Sequence, residues 1–171
     1  MCMNTRRNEY RAQIAGYALL EALVAVIVAS VGFIGAARMQ TFGMALGNSA
    51  QSRQKATLLG YQMTDRIRAN RLGFDGGGYQ DPANNGSVSC LATTAGCAPA
   101  ALAAADVAQW AAEVEATLPQ GKAKVCLDST PNDTNATPAD PKCDLLGNVI
   151  AVKIWWTDNV ATSQFVTVVR P

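Results

Sequence analysis

The longest run of apolar residues lies near the start of the chain, from residue 17 to residue 37. It reads YALLEALVAVIVASVGFIGAA, and Glu21 is its only charged side chain. A helix needs about 20 predominantly apolar residues to cross the hydrocarbon core of a bilayer. The pattern therefore predicts a transmembrane helix over residues 17–37.

Beyond residue 37 the apolar positions recur every three or four residues, and polar and charged residues stand between them. This spacing is typical of an amphipathic helix. We therefore expect one helix from about Tyr17 to about Asn70, with an apolar half at 17–37 and an amphipathic half at 38–72. Its softest part is expected between Gly43 and Gly47. The apolar positions are Met39, Phe42, Leu46, Ala50, Ala56, Leu59, Met63 and Ile67.

Residues 73–171 are predicted to form a globular head. A flexible loop is expected at residues 74–78, because glycines dominate it. A second helix is expected at residues 106–118, with Asp106 as its N-cap. The apolar spacing of that helix includes Trp110, which we expect in the core or at its rim.

Three stretches of the head are rich in β-branched residues or alternate with a period of two, which is typical of strands. They lie at residues 122–127, 148–157 and 163–170. The predicted fold class is therefore α+β, a long N-terminal helix packed on a small antiparallel sheet. Trp155 and Trp156 lie in the middle strand and are expected in the core or at its rim.

Composition narrows the classes of function. The chain has 14 basic and 13 acidic residues, so its charge does not indicate direct nucleic-acid binding. It has no histidine, the commonest general base and metal ligand. We recognise no catalytic constellation, and we expect neither enzymatic activity nor a cofactor or metal.

The five cysteines include Cys2 and four in the head. Four cysteines in a small exported domain usually form two disulfides, and the sequence allows three connectivities. We favour Cys90 with Cys97 and Cys126 with Cys143, because each pair closes a short polar loop. The irregular spacings fit a zinc site less well.

The loop from Asp128 to Asp144 carries several aspartates among Asn, Thr and Pro. Oxygen-rich loops bind calcium, but this one lacks the EF-hand spacing. We favour a solvated loop clamped by Cys126 and Cys143, with calcium binding as the alternative.

Basic residues precede the apolar helix. Arg6, Arg7 and Arg11 stand within residues 1–16 against the single acidic Glu9. The positive-inside rule places this end in the cytoplasm and the head outside it. The apolar stretch ends without a clear signal-peptidase site and runs on into the amphipathic half, so we expect the helix to be retained.

The junction GYALLE, residues 16–21, resembles the type IV prepilin processing motif, the class III signal. In that motif a glycine precedes an aromatic residue and a glutamate is fifth in the mature chain. Tyr17 stands where phenylalanine is usual. The resemblance implies that prepilin peptidase removes a basic leader, residues 1–16, by cutting between Gly16 and Tyr17, and that Tyr17 is then N-methylated.

Cleavage at Gly16 would create an α-ammonium on Tyr17, four residues before Glu21. Both charges would lie in a low-dielectric layer, where each needs the other. In the family, the pairing of this glutamate with a neighbouring subunit's N-terminus sets the axial register of assembly. Glu21 is therefore expected to neutralise an N-terminus and guide assembly.

The chain is also similar to PilV-type minor pilins, the type IV pilus modification proteins. The likeness rests on LLEALVA at 19–25, ATLL at 56–59, DRIRAN at 65–70, Trp110 before LP at 118–119, and IWW at 154–156. It implies a pilin fold and a subunit that primes or supports pilus assembly, and hence twitching motility, adhesion or DNA uptake.

The same resemblance implies partners and places. The partners are prepilin peptidase, other minor pilins, the major pilin and the inner-membrane assembly platform. The chain would sit in the inner membrane with a periplasmic head before assembly, and afterwards in the pilus, with the tip as one position. Two alternatives stay open: a minor pseudopilin of a type II secretion system, and a membrane-anchored periplasmic enzyme or binding protein.

Overall fold

A computed structural model describes the backbone of residues 5–158 and 161–170, and the side chains from Tyr17 onward within those ranges. Its elements follow in chain order. They are α1 (Thr5–Ala69), α2 (Arg71–Asp75), one 3₁₀ turn (Ser89–Ala92), α3 (Pro99–Thr117), β1 (Lys122–Leu127), β2 (Ile150–Asp158) and β3 (Ala161–Val169). The predicted α+β class is confirmed: a long N-terminal helix and a small antiparallel sheet that packs against it.

The chain divides into two compact units, Met1–Gly47 and Asn48–Pro171. The second unit combines the predicted head, residues 73–171, with residues 48–72, and from here on we call this whole unit the head. It contains the whole hydrophobic core found among the described residues. Within the head, α1 buries the later members of the apolar stripe predicted for it. These are Ala56, Leu59, Met63 and Ile67, each at most 4% exposed.

α1 passes close to the sheet at Gly60. A methyl group at that position would lie 2.5 Å from the Phe165 ring on β3. Glycine therefore allows the helix and the sheet to approach each other, in spite of its low helix propensity.

The segment predicted as a flexible loop is ordered by hydrogen bonds, which corrects that prediction. Phe74 and Asp75 belong to α2, whose N-cap Asn70 accepts a hydrogen bond from the Gly73 N–H. The following turn closes when the Gly78 N–H donates to the Gly73 carbonyl at 2.8 Å. The Asn70 side chain supplies a cap that the run of glycines concealed.

α3 begins seven residues earlier than expected, at Pro99 rather than Asp106. Its N-cap is Ala98 and its first residue is proline, which favours the first turn because its fixed φ suits a helix. The predicted N-cap role of Asp106 is therefore wrong: it lies inside the helix. The alanine-rich stretch before it has high helix propensity, and that propensity decides the boundary.

The three strands form one antiparallel sheet in the order β1-β2-β3. Val125 pairs with Val152 and Ile154 with Phe165, so each strand lies next to its chain neighbour. The strands agree with the predicted ones to within two residues. Trp110 and Trp156 join the core cluster, and Trp155 is also buried, as expected of all three tryptophans.

β2 is buried on both faces, although only one face meets the core. The segment from residue 128 to residue 144 covers the other face. There the Trp155 indole N–H donates to the Ala136 carbonyl at 3.3 Å, and Lys153 is fully buried. The head therefore has three layers: helices, sheet and this covering loop.

Candidate functional site

Residues 17–37 present apolar side chains on every side of α1. Among residues 17–47 only Ala45 is half-buried and the others are exposed, and large side chains such as Leu19 and Phe33 are about three-quarters exposed, at 75% and 76%. A helix that is apolar all round requires a non-aqueous environment or other helices. By length and composition α1 is able to cross a membrane.

Hydroxyl groups on this part of α1 bond within the helix. The Ser30 hydroxyl donates to the Ile27 carbonyl at 2.8 Å, and the Thr41 hydroxyl donates to the Arg38 carbonyl at 2.9 Å. Such groups enter an apolar environment at a reduced free-energy cost, because their hydrogen bonds are already made. These hydrogen bonds do not involve the Glu21 carboxylate, so they do not reduce the cost of placing its charge in an apolar environment.

Glu21 is exposed, and its carboxylate lies far from positive charge along the helix. The next charged residue toward the C-terminus is Arg38, about 25 Å away at the rise of an α-helix. Toward the N-terminus the nearest is Arg11, ten residues before it in the sequence. Neither position lies within the three or four residues over which helical side chains meet.

The Gly16–Tyr17 peptide bond lies inside α1, which begins at Thr5. The backbone is helical there, and Tyr17 and Glu21 are four residues apart, so they lie on one face. A helix that began at Tyr17 would have unpaired N–H groups and a positive dipole end in its first turn. An α-ammonium at Tyr17 would add a full charge one turn from the Glu21 carboxylate.

Both favoured disulfides are confirmed. Cys90 bonds to Cys97 across a sequence separation of 7, and Cys126 bonds to Cys143 across 17. The first encloses part of the loop before α3, and the second joins β1 to the end of the covering loop. Cys2, the fifth cysteine, lies outside the described residues.

Most residues of the covering loop are exposed and Cys126 bonds to Cys143, as expected of a solvated loop clamped by these cysteines, but Asp128 and Ala136 are buried. Asp128, its first residue, is fully buried and accepts a hydrogen bond from Lys153 at 2.5 Å. Lys153 also donates to the Pro141 carbonyl at 2.8 Å, and the Thr130 N–H donates to Asp128. Lys153 on β2 therefore holds the loop on the sheet by a charge pair with Asp128 at its start and a hydrogen bond to the Pro141 carbonyl near its end.

The other loop carboxylates bind groups of their own segment. Asp144 accepts from the Ser129 N–H and the Leu146 N–H, and Asp140 pairs with Lys142. Hydrogen bonds from Ser129 lower the pKa of Asp144, and the hydrogen bond from Lys142 lowers that of Asp140. Among the described residues, no three side chains of His, Cys, Asp or Glu converge as metal ligands.

The DRIRAN stretch at residues 65–70 builds a polar network at the end of α1. The Asn70 amide donates to the Tyr79 hydroxyl at 3.2 Å and to the Pro99 carbonyl at 2.8 Å. The Tyr79 hydroxyl donates to Asp106 at 3.0 Å, and Arg66 lies 3.8 Å from the same carboxylate. Burial is the main cause that raises the pKa of Tyr79.

This network joins α1, α2 and α3, and explains why Asp106 stands in mid-helix. Sequence reasoning assigned Asp106 a capping role because aspartate before an apolar run usually caps a helix. Its partner Tyr79 follows three glycines and belongs to no periodic apolar pattern, so the sequence analysis did not predict its role. The DRIRAN stretch was the one sequence feature that pointed to this network.

Comparisons of the chain with protein-family models, with curated proteins and with solved structures find no match.

Proposed function

We propose that this chain is a minor pilin subunit, similar to PilV-type pilus modification proteins, which primes or supports assembly of a type IV pilus. The position of Glu21 carries the proposal. It is the only charge in an exposed apolar helix segment and lies one turn after the Gly16–Tyr17 bond. A simple anchor has no use for a carboxylate there, since charge in hydrocarbon is costly.

The precursor is anchored first and processed second. Arg6, Arg7 and Arg11 keep the leader in the cytoplasm, and residues 17–37 cross the inner membrane. Prepilin peptidase then cuts after Gly16 on the cytoplasmic side, and the new N-terminus on Tyr17 is methylated. The disulfides of the head support this topology, because disulfides persist in the periplasm and not in the cytoplasm.

Processing also changes the electrostatics of the helix. Before cleavage, the nearest cation to Glu21 is ten residues away in sequence. After cleavage, an ammonium lies one turn away, or is supplied by a neighbouring subunit in a staggered bundle. A neutralised Glu21 can leave the lipid for a filament core, whereas an unpaired carboxylate resists that transfer.

The proposed partners follow from this route. Prepilin peptidase and the inner-membrane assembly platform meet the helix in the membrane. Other minor pilins and the major pilin pack against residues 17–37 in the filament, where the exposed apolar side chains lose their contact with lipid. The head remains in the periplasm or on the pilus, with the tip as one proposed position.

Mass spectrometry of the N-terminus tests the processing step. In cells that contain prepilin peptidase, the chain is expected to start at methylated Tyr17 and to lack residues 1–16. Gly16→Leu should abolish cleavage. Gly35→Leu is the matched control, because nothing lies within 4 Å of an added Cβ there, and it should be cleaved normally. A chain that keeps its leader beside active peptidase contradicts the proposal.

Substitution of Glu21 tests the pairing. Glu21→Ala should be cleaved normally but should leave pili reduced or absent wherever assembly depends on this subunit, because nothing then neutralises the new N-terminus. Ser30→Ala removes a polar group that already bonds within its own helix, so it should assemble normally. Pili counted by electron microscopy give the readout, and normal piliation with Glu21→Ala refutes the pairing role.

A further inference from the structure

The sheet has two outer edges, and the chain itself covers one of them. At β1, the Leu127 N–H donates to the Gln80 carbonyl at 2.6 Å, and the Leu127 carbonyl accepts from the Leu145 N–H. The Asn84 side chain donates to the Ala123 carbonyl at 2.6 Å. Segments on both sides of β1 in sequence therefore occupy its outer edge.

The other edge, β3, is different. All nine of its residues pair with β2, from Ala161 with Asp158 to Val169 with Ile150. In the described ranges 5–158 and 161–170, no further backbone hydrogen bond involves this strand. A row of N–H and C=O groups on β3 is therefore available to another strand.

β3 also lacks the features that usually prevent such pairing. Exposed edges are commonly guarded by charged residues, proline or bulges. Residues 161–169 contain no charged residue and no proline, and five of the nine are β-branched. β1, the covered edge, carries Lys122 and Lys124.

The strand is held in shape by the head. The Phe165 ring packs edge-to-face on Tyr61 of α1, with ring centroids 6.4 Å apart. At the start of β3, one Asp158 oxygen accepts hydrogen bonds from Ser49, Trp156 and Ser163. A preformed edge lowers the entropic cost of adding a strand.

Positive charge lies at the C-terminal end of this edge. Arg68, Arg71 and Arg170 surround a cavity of about 250 Å³ that is also lined by Ile67 and Val169. Arg68 and Arg71 pair with aspartates of their own helices. Within the described part of the chain, Arg170 has no acidic side chain within ion-pair distance.

We infer that the outer edge of β3 is a docking site for an extended segment of a partner protein whose one charged group, a carboxylate at its end, lies beside Arg170. Backbone hydrogen bonds would supply affinity, and the charge would set register. The choice of a foreign segment rests on charge. β3 of a second copy contains no acidic residue, so pairing β3 with β3 would place no carboxylate of that strand beside Arg170.

Peptide binding to the full chain in detergent tests this docking site. The probes are two peptides of alternating Thr and Val, one with Asp at its N-terminal end and one with Asp at its C-terminal end. Their counterparts carry Lys instead of Asp. One Asp peptide is expected to bind about tenfold or more tighter than its Lys counterpart, by fluorescence anisotropy. Equal binding of the Asp and Lys peptides, or no binding, overturns the inference.

Charge reversal identifies the site. Arg170→Glu should invert the order, so that the Lys peptide binds more tightly. Arg53→Glu makes the same charge change at an exposed position on α1 and should keep the order. Hydrogen exchange should slow at β3 amides and not at β1 amides when the peptide binds. An unchanged order in Arg170→Glu, or protection confined to β1, counts against the assignment.

Sedimentation of the same sample tests the alternative occupant. We expect no self-association of the chain that the Asp peptide reverses. Self-association that the peptide does reverse would show that a second copy occupies the β3 edge and would overturn the inference. None of these measurements requires cleavage at Gly16. A failure of peptide binding therefore leaves the processing proposal intact, and a failure of processing does not affect the binding result.

Discussion

In the N-terminal unit the large apolar side chains of residues 17–47 are exposed, whereas the head has a buried hydrophobic core that includes Trp110 and Trp156. The two regions differ in the same way in their charges. Glu21 has no cation near it along the helix, while Asp128 is buried with Lys153 as its partner inside the same chain.

The difference indicates when each region reaches a favourable environment. The head satisfies its core and its buried charge by folding, within one chain. Among the described side chains, residues 17–47 find neither a core nor a partner for Glu21. The apolar residues therefore require lipid or other helices, and Glu21 requires a cation that these side chains do not supply. Stability of the head and function of the N-terminal helix should therefore respond to different substitutions.

Removal of one aromatic side chain from each region gives the largest expected contrast. Trp110 is fully buried and its indole donates to the Leu59 carbonyl at 2.8 Å, so Trp110→Ala should cost about 3–5 kcal/mol of unfolding free energy. Phe33→Ala, at a side chain 76% exposed, should leave the unfolding of the head unchanged. Urea unfolding of the full chain in detergent, followed by tryptophan fluorescence, measures both. A similar loss in the two variants would remove the contrast.

The buried charge pair should give an effect of comparable or slightly smaller size. Lys153→Ala leaves Asp128 buried without its partner and should cost about 3–5 kcal/mol. Lys122→Ala breaks an exposed ion pair with Glu115 and should cost about 0–1 kcal/mol. The double replacement Lys153→Met with Asp128→Leu should recover most of the loss, since no unpaired charge remains. If Lys153→Ala is as mild as Lys122→Ala, the pair does not hold the loop.

Tyr79 gives the smallest effect. Tyr79→Phe removes the hydroxyl between Asn70 and Asp106 and should cost about 1–2 kcal/mol at neutral pH. Because burial raises the pKa of Tyr79 above its ordinary value of 10.0, the unfolded chain loses the phenolic proton first. Its stabilising contribution is therefore complete below pH 10.0 and declines above it, by up to about 1.4 kcal/mol per pH unit.

The same titration distinguishes the wild-type chain from the variant. Unfolding free energies measured on both sides of pH 10.0 should fall more steeply for the wild type than for Tyr79→Phe. Parallel curves would mean that the phenol titrates alike in the folded and unfolded chains.

Much of the fold could be predicted from the periodicity of apolar residues. The apolar stripe that ends at Ile67 and the alternation in β2 depend on residues a few positions apart, so the sequence alone predicts them. Element ends were less accessible. The end of the long helix was predicted to within one residue, but the start of α3 depended on alanine propensity and on Pro99, and the start of α2 depended on the side chain of Asn70.

The candidate site divides in the same way. Gly16, Tyr17 and Glu21 form a local motif, so the placement of Tyr17 and Glu21 on one helical face follows from the sequence. The Asp128–Lys153 pair joins residues 25 apart, and no local pattern specifies that contact. The disulfides lie between these cases, because short polar loops favoured the right pairing of Cys90, Cys97, Cys126 and Cys143 without excluding others.

The Cys126–Cys143 disulfide also has a mechanical consequence. An extended chain spans at most about 3.3–3.6 Å per residue, so a bridge across 17 residues withholds roughly 60 Å of contour length from a pulling force. While the disulfide is intact, a force that acts on β1 cannot extend the loop that covers the sheet. If the head is carried on a retracting filament, the bond limits how far it can stretch before the sheet itself must open.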